Sequence, residues 1–366
     1  MKNIINLWNV DFNKKYIIKK LNYAFNNRNL SQGKITKEFE NKLSKVVKLP
    51  YAICTNSGSS ALLLLLITLN LKKNDEIIIP DRTWISDLHA PQILGLKVKL
   101  VDVEKQRPII DIKDLKKKIT KKTKVIIAVH LGGRIVNINA IKKITKNYNV
   151  KIIEDTSQAF GATNNNYGIG KNSLASFFSF SVAKIVSSAQ GGFIATKNKS
   201  LYNKLILNRS HAVRIKNDHE KWTNVAFNFK FTDIQACLGI GELKKLTEKK
   251  NKLKNIYNLY AKGINKLKLI KIIPVNINNG EIPLYIEIVC KFRKKLHKFL
   301  KKKNISSRPF YPSISEAKYN KSVGKFKKSI YFSQNGLYLP SGPNIKKNSV
   351  IRVVKALQEF EKEFIK

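Results

Sequence analysis

Between about residues 50 and 200 the chain alternates short apolar runs with helical stretches, and this alternation limits the folds open to it more than any other feature. The runs read as strands: AICT (52–55), EIIIP (76–80), KVKLVDV (97–103), KVIIAVHL (124–131), KIIED (151–155), SFFSF (176–180) and GFIAT (192–196). Several are apolar nearly throughout, as strands covered on both faces must be. Helical patterns at 59–70, 83–95, 112–119 and 137–148 fill the intervals. The series predicts an α/β domain on a mainly parallel sheet. In such sheets ligands lie at the carboxyl ends of the strands, so the residues just after each strand are the ones to search.

Beyond the series, residues 232–268 read as one long helix with a break near Gly239 or Gly241. A strand at 284–289 and helices at 292–303 and 347–364 then suggest a small α+β domain. The expected division is a large domain over 1–240, with an N-terminal helical segment, and a small one over 241–366. The most apolar run, ALLLLLITLNL (61–71), is too short for a bilayer, which needs roughly 20 residues. The N-terminal MKNIINLWNVDFNKK has no apolar stretch of signal-peptide length. Cys54, Cys237 and Cys290 form no CxxC pair and fit a reducing compartment. A soluble, cytoplasmic protein without a membrane partner is expected.

The formal net charge is +46. Such a charge raises nucleic-acid binding. However, Lys dominates over Arg, the lysines are spread along the chain, and Asn and Ile are abundant too. That is the signature of an AT-rich coding sequence, and readers of nucleic acid favour Arg. The charge is read as codon bias that also attracts anionic substrates.

Two apparent motifs lead nowhere. GIGKNS (168–173) resembles a phosphate-loop fragment, but Asn165 and Asn172 occupy positions where that loop needs Gly and Ser or Thr. The five histidines, His89, His130, His211, His219 and His297, lack metal-ligand spacing, and no metal site is expected.

Three other stretches gain meaning together. In TNSGSSALLLL (55–65) a strand runs through a Gly-Ser turn into a helix, which makes an anion site or an ordinary serine cap. In KIIEDTSQAFGA (151–162) a buried strand ends in Glu154-Asp155, an acid at the ligand side or a helix cap. In FSFSVAKIVSSAQGG (178–192) Lys184 follows a strand, where a lysine can bond a carbonyl carbon or simply be solvated. An anion-binding helix start, an acid and a lysine, in this order, are the three anchors that pyridoxal phosphate requires: donors for the phosphate, an acid for the ring nitrogen, an amine for the aldehyde.

With these pieces in order, the chain resembles the DegT/DnrJ/EryC1/StrS family of pyridoxal-phosphate-dependent nucleotide-sugar aminotransferases, from about residue 30 to 360. NSGSSAL, P-x-x-T-W (80–84), VDV (101–103), VHLGG (129–133), EDTSQAFGA, FSFSVAK, GGF, FNFKFTDIQACLG (227–239) and the LP near 340 carry the likeness. The resemblance implies the aspartate-aminotransferase-like fold (fold type I). It also implies that Lys184 links to the cofactor and shuttles the proton, and that Asp155 pairs with the ring nitrogen. Gln158 would sit near the ring hydroxyl and Trp84 would stack on the ring. Ser59, Ser60 and Ser179 would hold the phosphate. Asn228 would reach the cofactor of the second subunit of a homodimer. Tyr311, in RPFYPS (308–313), is a candidate for the sugar pocket or a packed aromatic.

The implied reaction moves an amino group from L-glutamate to a nucleotide-linked keto-sugar, a 4-keto-6-deoxyhexose first, for a surface polysaccharide such as the O-antigen of lipopolysaccharide. A relative acting on a 3-keto-hexose, an octulosonate or a cyclitol, or a silent nucleic-acid-binding or regulatory protein on this fold, are the alternatives. Four departures stand out. The phosphate turn has Gly58-Ser59 for Gly-Thr, and Ala189-Gln190-Gly191-Gly192 stands where the family has Gly-Glu-Gly-Gly. Lys230 replaces an arginine, and Ser210-His211-Ala212 replaces Asn-His-Gly.

Overall fold

The computed structural model describes residues 4–10, 12–26, 28, 30–164, 167–213, 224–320 and 324–365. Asn165 and His219 therefore lie outside the described residues. The strands are β1 (Tyr51–Thr55), β2 (Glu76–Pro80), β3 (Lys97–Val101), β4 (Thr123–Val129), β5 (Lys151–Asp155), β6 (Thr163–Asn164), β7 (Tyr167–Gly168), β8 (Ala175–Ser179) and β9 (Gly192–Thr196). After them come β10 (Ile270–Ile272), β11 (Ile286–Cys290), β12 (Arg308–Pro309) and β13 (Gly336–Leu339). The helices are α1 (Lys14–Asn26), α2 (Lys34–Val47), α3 (Gly58–Thr68), α4 (Ser86–Ile93), α5 (Ile112–Lys118), α6 (Ile138–Ile144) and α7 (Lys199–Asn208). The remainder are α8 (Asp233–Leu243), α9 (Leu246–Ile264), α10 (Arg293–Lys302), α11 (Lys327–Asn335) and α12 (Lys347–Ile365).

The seven-stranded sheet runs β1-β9-β8-β5-β4-β2-β3. Only β9 is antiparallel to its neighbours in it; the rest are parallel. The mainly parallel α/β sheet read from the sequence is therefore present, and β2, β5 and β9 keep their expected bounds. Its strands are buried on both faces: Ile77, Ile78 and Ile79 have no exposed surface, nor have Val125, Ile126 and Ile127. Leucines surround α3, and four of them are buried, so this helix lies inside the protein rather than on its surface.

The expected long helix is two helices, and the break falls at Lys244–Lys245 instead of at a glycine. The glycines have a packing task. A Cβ at Gly239 would lie 2.4 Å from the Phe39 ring of α2, and one at Gly241 would lie 2.9 Å from Ile17 of α1. They let three helices approach, which sequence periodicity cannot reveal. The predicted helix over 83–95 begins only at Ser86, because 83–85 form the turn that leaves β2.

A second, antiparallel sheet, β10-β11-β13-β12, lies in the C-terminal part. It shares a core with α9, α10 and α12 that includes Tyr260, Ile288, Leu296, Leu337, Leu357 and Phe360. Ile5 joins that core and bridges to Ile305, so the N-terminal end of the chain packs with the C-terminal layer. Buried Arg134, beyond β4, ties the two sheets. It donates to the Pro274 and Ile273 carbonyls at 2.9 and 3.2 Å and pairs with buried Glu287 of β11.

Candidate active site

The carboxyl ends of β1, β2, β5 and β8 open onto one cavity of about 310 Å³. Register explains the convergence: Val129 pairs with Asp155, so β4 and β5 end at one level, and Asp155 pairs with Phe177, two residues before β8 ends. The turns that follow bring Ser57, Gly58 and Ser59, then Trp84 and Ser86, then Asp155, Ser157 and Gln158, then Ser179, Ser181 and Lys184. The C-terminal layer closes the cavity with Tyr285, Arg308, Tyr311 and Tyr338. A larger cavity, about 630 Å³, lies between α2, the β6–β7 hairpin and the start of α9. Among the described residues its titratable lining is Lys48, Lys171 and Lys250, which offer no acid–base pair.

Lys184 sits in a backbone held from both sides. Tyr285 Oη donates to the Ala183 carbonyl at 2.9 Å, and buried Lys249 Nζ donates to the Ile185 carbonyl at 3.3 Å. Lys249 itself pairs with buried Glu242 at 2.5 Å. Removal of water around the Lys184 amine, with Arg308 nearby, pulls its pKa from 10.5 to about 8, against the opposing pull of Asp155 and Asp87. At pH 7 this gives roughly 300-fold more neutral amine than a solvated lysine holds.

Asp155 is buried at the end of β5, and its Oδ1 accepts the Ser157 N–H at 2.8 Å. Strand alternation turns Glu154 away from the cavity, where it accepts from His130 Nε2 at 2.9 Å and from the Gly170 N–H at 3.0 Å. His130 Nδ1 accepts the Val136 N–H, so His130 is a satisfied core histidine. Gly170, from the GIGKNS stretch, thus serves the fold behind the sheet.

At the other end of the cavity Ser57 caps α3, its Oγ accepting the Ser60 N–H at 3.0 Å and donating to Ser60 Oγ at 2.8 Å. Ser60 supports the cap, its Oγ accepting from Ser57, and does not line the cavity, whereas Ser59 and Ser179 do. The turn is tightly seated: a Cβ on Gly58 would come 2.9 Å from Ser179, and one on Gly192 would come 2.6 Å from the Phe178 and Ser57 carbonyls. Trp84 is half exposed at the rim and meets Tyr311 edge to face at 5.5 Å. Gln158 Oε1 accepts the Gly132 N–H at 2.8 Å. Asn228 is exposed and lies outside the cavity of its own chain.

These residues fit pyridoxal phosphate. Hydroxyls and a helix N-terminus stand at one end, a buried carboxylate at the other, and a desolvated amine beside it. The Tyr311 hydroxyl is buried in the cavity lining beside Tyr338 and Gln158. Arg308 and Tyr285 are cavity residues that sequence reasoning missed, as is buried Asp87, which acts on Asp155 and Lys184 from behind the lining. Arg308 opens the quoted RPFYPS segment, but nothing in its spacing points to the cavity, and Tyr285 comes from a strand read only as a strand.

The family model for the DegT/DnrJ/EryC1/StrS aminotransferase family matches residues 12–358. This chain belongs to that family. By class it is a pyridoxal-phosphate-dependent sugar aminotransferase. Among relatives, the GDP-perosamine synthase of Escherichia coli O157:H7 is 28% identical over 340 residues, covering 90% of this chain and 91% of the relative. The UDP-4-amino-4,6-dideoxy-N-acetyl-beta-L-altrosamine transaminase of Campylobacter jejuni (serotype O:2) is 29% identical, with 84% of each chain covered. Helicobacter pylori PseC, an aminotransferase of known structure, superposes with a TM-score of 0.91 over 99% of this chain and 100% of its own, at 23% identity. At that identity the superposition speaks for the fold alone.

Two of the departures from the family pattern put alanine at a left-handed backbone position. Ala189 keeps a left-handed φ of +66° and Ala212 one of +56°, conformations that favour glycine. The turn after Lys184 is secured by Ser188 Oγ and Gln235 Nε2, which donate to the Gln190 carbonyl at 2.6 and 3.0 Å.

Proposed function

We propose that this aminotransferase moves an amino group from L-glutamate to C4 of a nucleotide-linked 4-keto-6-deoxyhexose, for a cytoplasmic step of surface-polysaccharide synthesis. The carrying observation is the desolvated Lys184 amine held in one cavity with Asp155 and the α3 start. The relatives named for GDP- and UDP-linked amino sugars point to the substrate class.

When bound, pyridoxal phosphate supplies an aldehyde for amine exchange and a ring that draws off electrons. The protein does the rest. Lys184, neutral in a usable fraction at pH 7, takes the proton from the donor's α-carbon and delivers one to the sugar carbon. With the cofactor bound, Asp155 would pair with the ring nitrogen and Trp84 would cover the ring. Gln158 would lie near the ring hydroxyl. Ser59 and Ser179 would hold the phosphate, with Ser60 supporting the Ser57 cap behind them. Arg308 offers a cation for a donor carboxylate, and Tyr311 offers its hydroxyl to the sugar. Asn228, exposed on its own subunit, serves the cofactor of a second subunit, which makes the active unit a homodimer. The domain division after residue 240 belongs to this reading, with the cavity closed by the smaller part.

The test is an absorption spectrum of the protein with added pyridoxal phosphate, before and after L-glutamate, beside Lys184→Ala. A visible band in the wild type that bleaches with glutamate, and is absent from the variant, supports the cofactor, the lysine and the donor. GDP- and UDP-linked 4-keto-sugars then decide the acceptor. Strong, salt-sensitive nucleic-acid binding without turnover of any keto-sugar would defeat the reading.

A further inference from the structure

Asp87 is a buried acid behind the cavity lining, beside Asp155, that the reaction above leaves without a task. It lies in the first turn of α4 and has no exposed surface. Thr83 Oγ1 donates to its Oδ2 at 2.5 Å, while its Oδ1 receives no hydrogen bond from any donor among the described residues. Its carboxyl is in hydrogen-bonding contact with the carboxyl of Asp155. Two carboxylates cannot share such a contact in a dry pocket unless one holds a proton.

The surroundings say which one. The charged groups that face Asp87 are Asp155, from the end of β5, and Lys184, from the turn after β8. Burial and the charge of Asp155 push the Asp87 carboxyl up, outweighing Thr83 and Lys184. Asp155 has a backbone donor, the Ser157 N–H at its Oδ1, whereas the Asp87 Oδ1 has none among the described residues and is free to carry the shared proton.

We propose that Asp87 is a positioning residue of the cofactor site: its carboxyl keeps a proton and donates it to Asp155, so that the pair turns one oriented negative charge toward the ring nitrogen. The proposal rests on the reading that Asp155 faces that nitrogen.

Asp87→Asn and Asp87→Leu test it, with Asp155→Asn as the separate check on that reading. The readouts are the dissociation constant of pyridoxal phosphate, the pH midpoint of its bound absorption band, and the unfolding temperature of the cofactor-free protein from pH 4 to 8. Asparagine offers an amide N–H in place of the O–H. Asp87→Asn should therefore hold the dissociation constant within about twofold and leave the pH midpoint unmoved. Its cofactor-free Tm should exceed that of wild type by a margin that widens as pH rises from about 4, since a raised carboxyl pKa costs the wild type stability above its unfolded value. Asp87→Leu removes the donor and should weaken cofactor binding at least about tenfold, the order of one lost hydrogen bond to a charged group.

A pH midpoint that falls by about one unit or more in Asp87→Asn would mean an ionised Asp87 and would overturn the proposal. So would an Asp87→Asn Tm margin that stays flat with pH, or wild-type cofactor affinity in Asp87→Leu. If Asp155→Asn binds and titrates like wild type, the Asp155 reading fails. If it is impaired while Asp87→Leu is not, the Asp87 proposal alone fails.

Discussion

Replacing Lys184 by methionine should make the cofactor-free protein more stable. The side chains are close in length, and methionine needs no water. In the wild type, keeping the ammonium in the cavity is costly, and its pKa falls from 10.5 to about 8. The sign follows from linkage. The folded pKa lies below the unfolded one, so the cost is full below pH 8, shrinks between about 8 and 10.5, and vanishes above. The shift corresponds to about 3 kcal/mol at pH 7. A chain of 366 residues unfolds with an entropy near 0.8 kcal/mol per degree, so the gain in Tm is about 4 °C. The assay is calorimetry of cofactor-free wild type and Lys184→Met at pH 7, 9 and 10.5. The variant should melt higher at pH 7, and the gap should close with rising pH. A variant that melts at or below the wild type at pH 7, or a gap indifferent to pH, would refute the claim that Lys184 is desolvated. This would be stability given up for a reactive amine.

Ala189→Gly should stabilise by roughly 0.5–1 kcal/mol, because it relieves a left-handed alanine at a cost in unfolded-chain entropy smaller than the relief, measurable by urea titration. Gly192→Ala should abolish retention of pyridoxal phosphate on gel filtration while Gly161→Ala does not, since only the first puts a Cβ 2.6 Å from the Ser57 carbonyl behind the phosphate turn. Glu287→Ala should cost about 3–5 kcal/mol by leaving the Arg134 guanidinium buried without its partner, and Arg134→Met/Glu287→Leu together should recover most of it in denaturant unfolding.

Local pattern carried far along this chain. Apolar runs bounded by turns located the strands of the large sheet, and β2, β5 and β9 have the expected ends because each has an apolar centre flanked by polar or turn residues. The three cofactor stretches were legible for the same reason: each immediately follows a strand, and parallel strands deliver their following turns to one edge. Lys184, Asp155, Ser59, Ser179, Trp84 and Gln158 all reached the cavity by that route.

What the sequence by itself determined was thus the sheet, its edge and the residues on that edge. Contacts between distant segments decided the remainder. Two-residue alternation says that Glu154 and Asp155 face opposite ways, but only the packed sheet says which of them meets the cavity. The helix break at Lys244–Lys245, the role of Gly239 against Phe39 and the part Ser60 takes in the Ser57 cap depend on partners that periodicity does not encode. Arg308 and Tyr338 of the second sheet, and Tyr285 just before its strand β11, join the site from more than 100 residues beyond Lys184 in the chain. Asp87 becomes meaningful only against Asp155, since a buried acid acquires its chemistry from the charge it is packed beside.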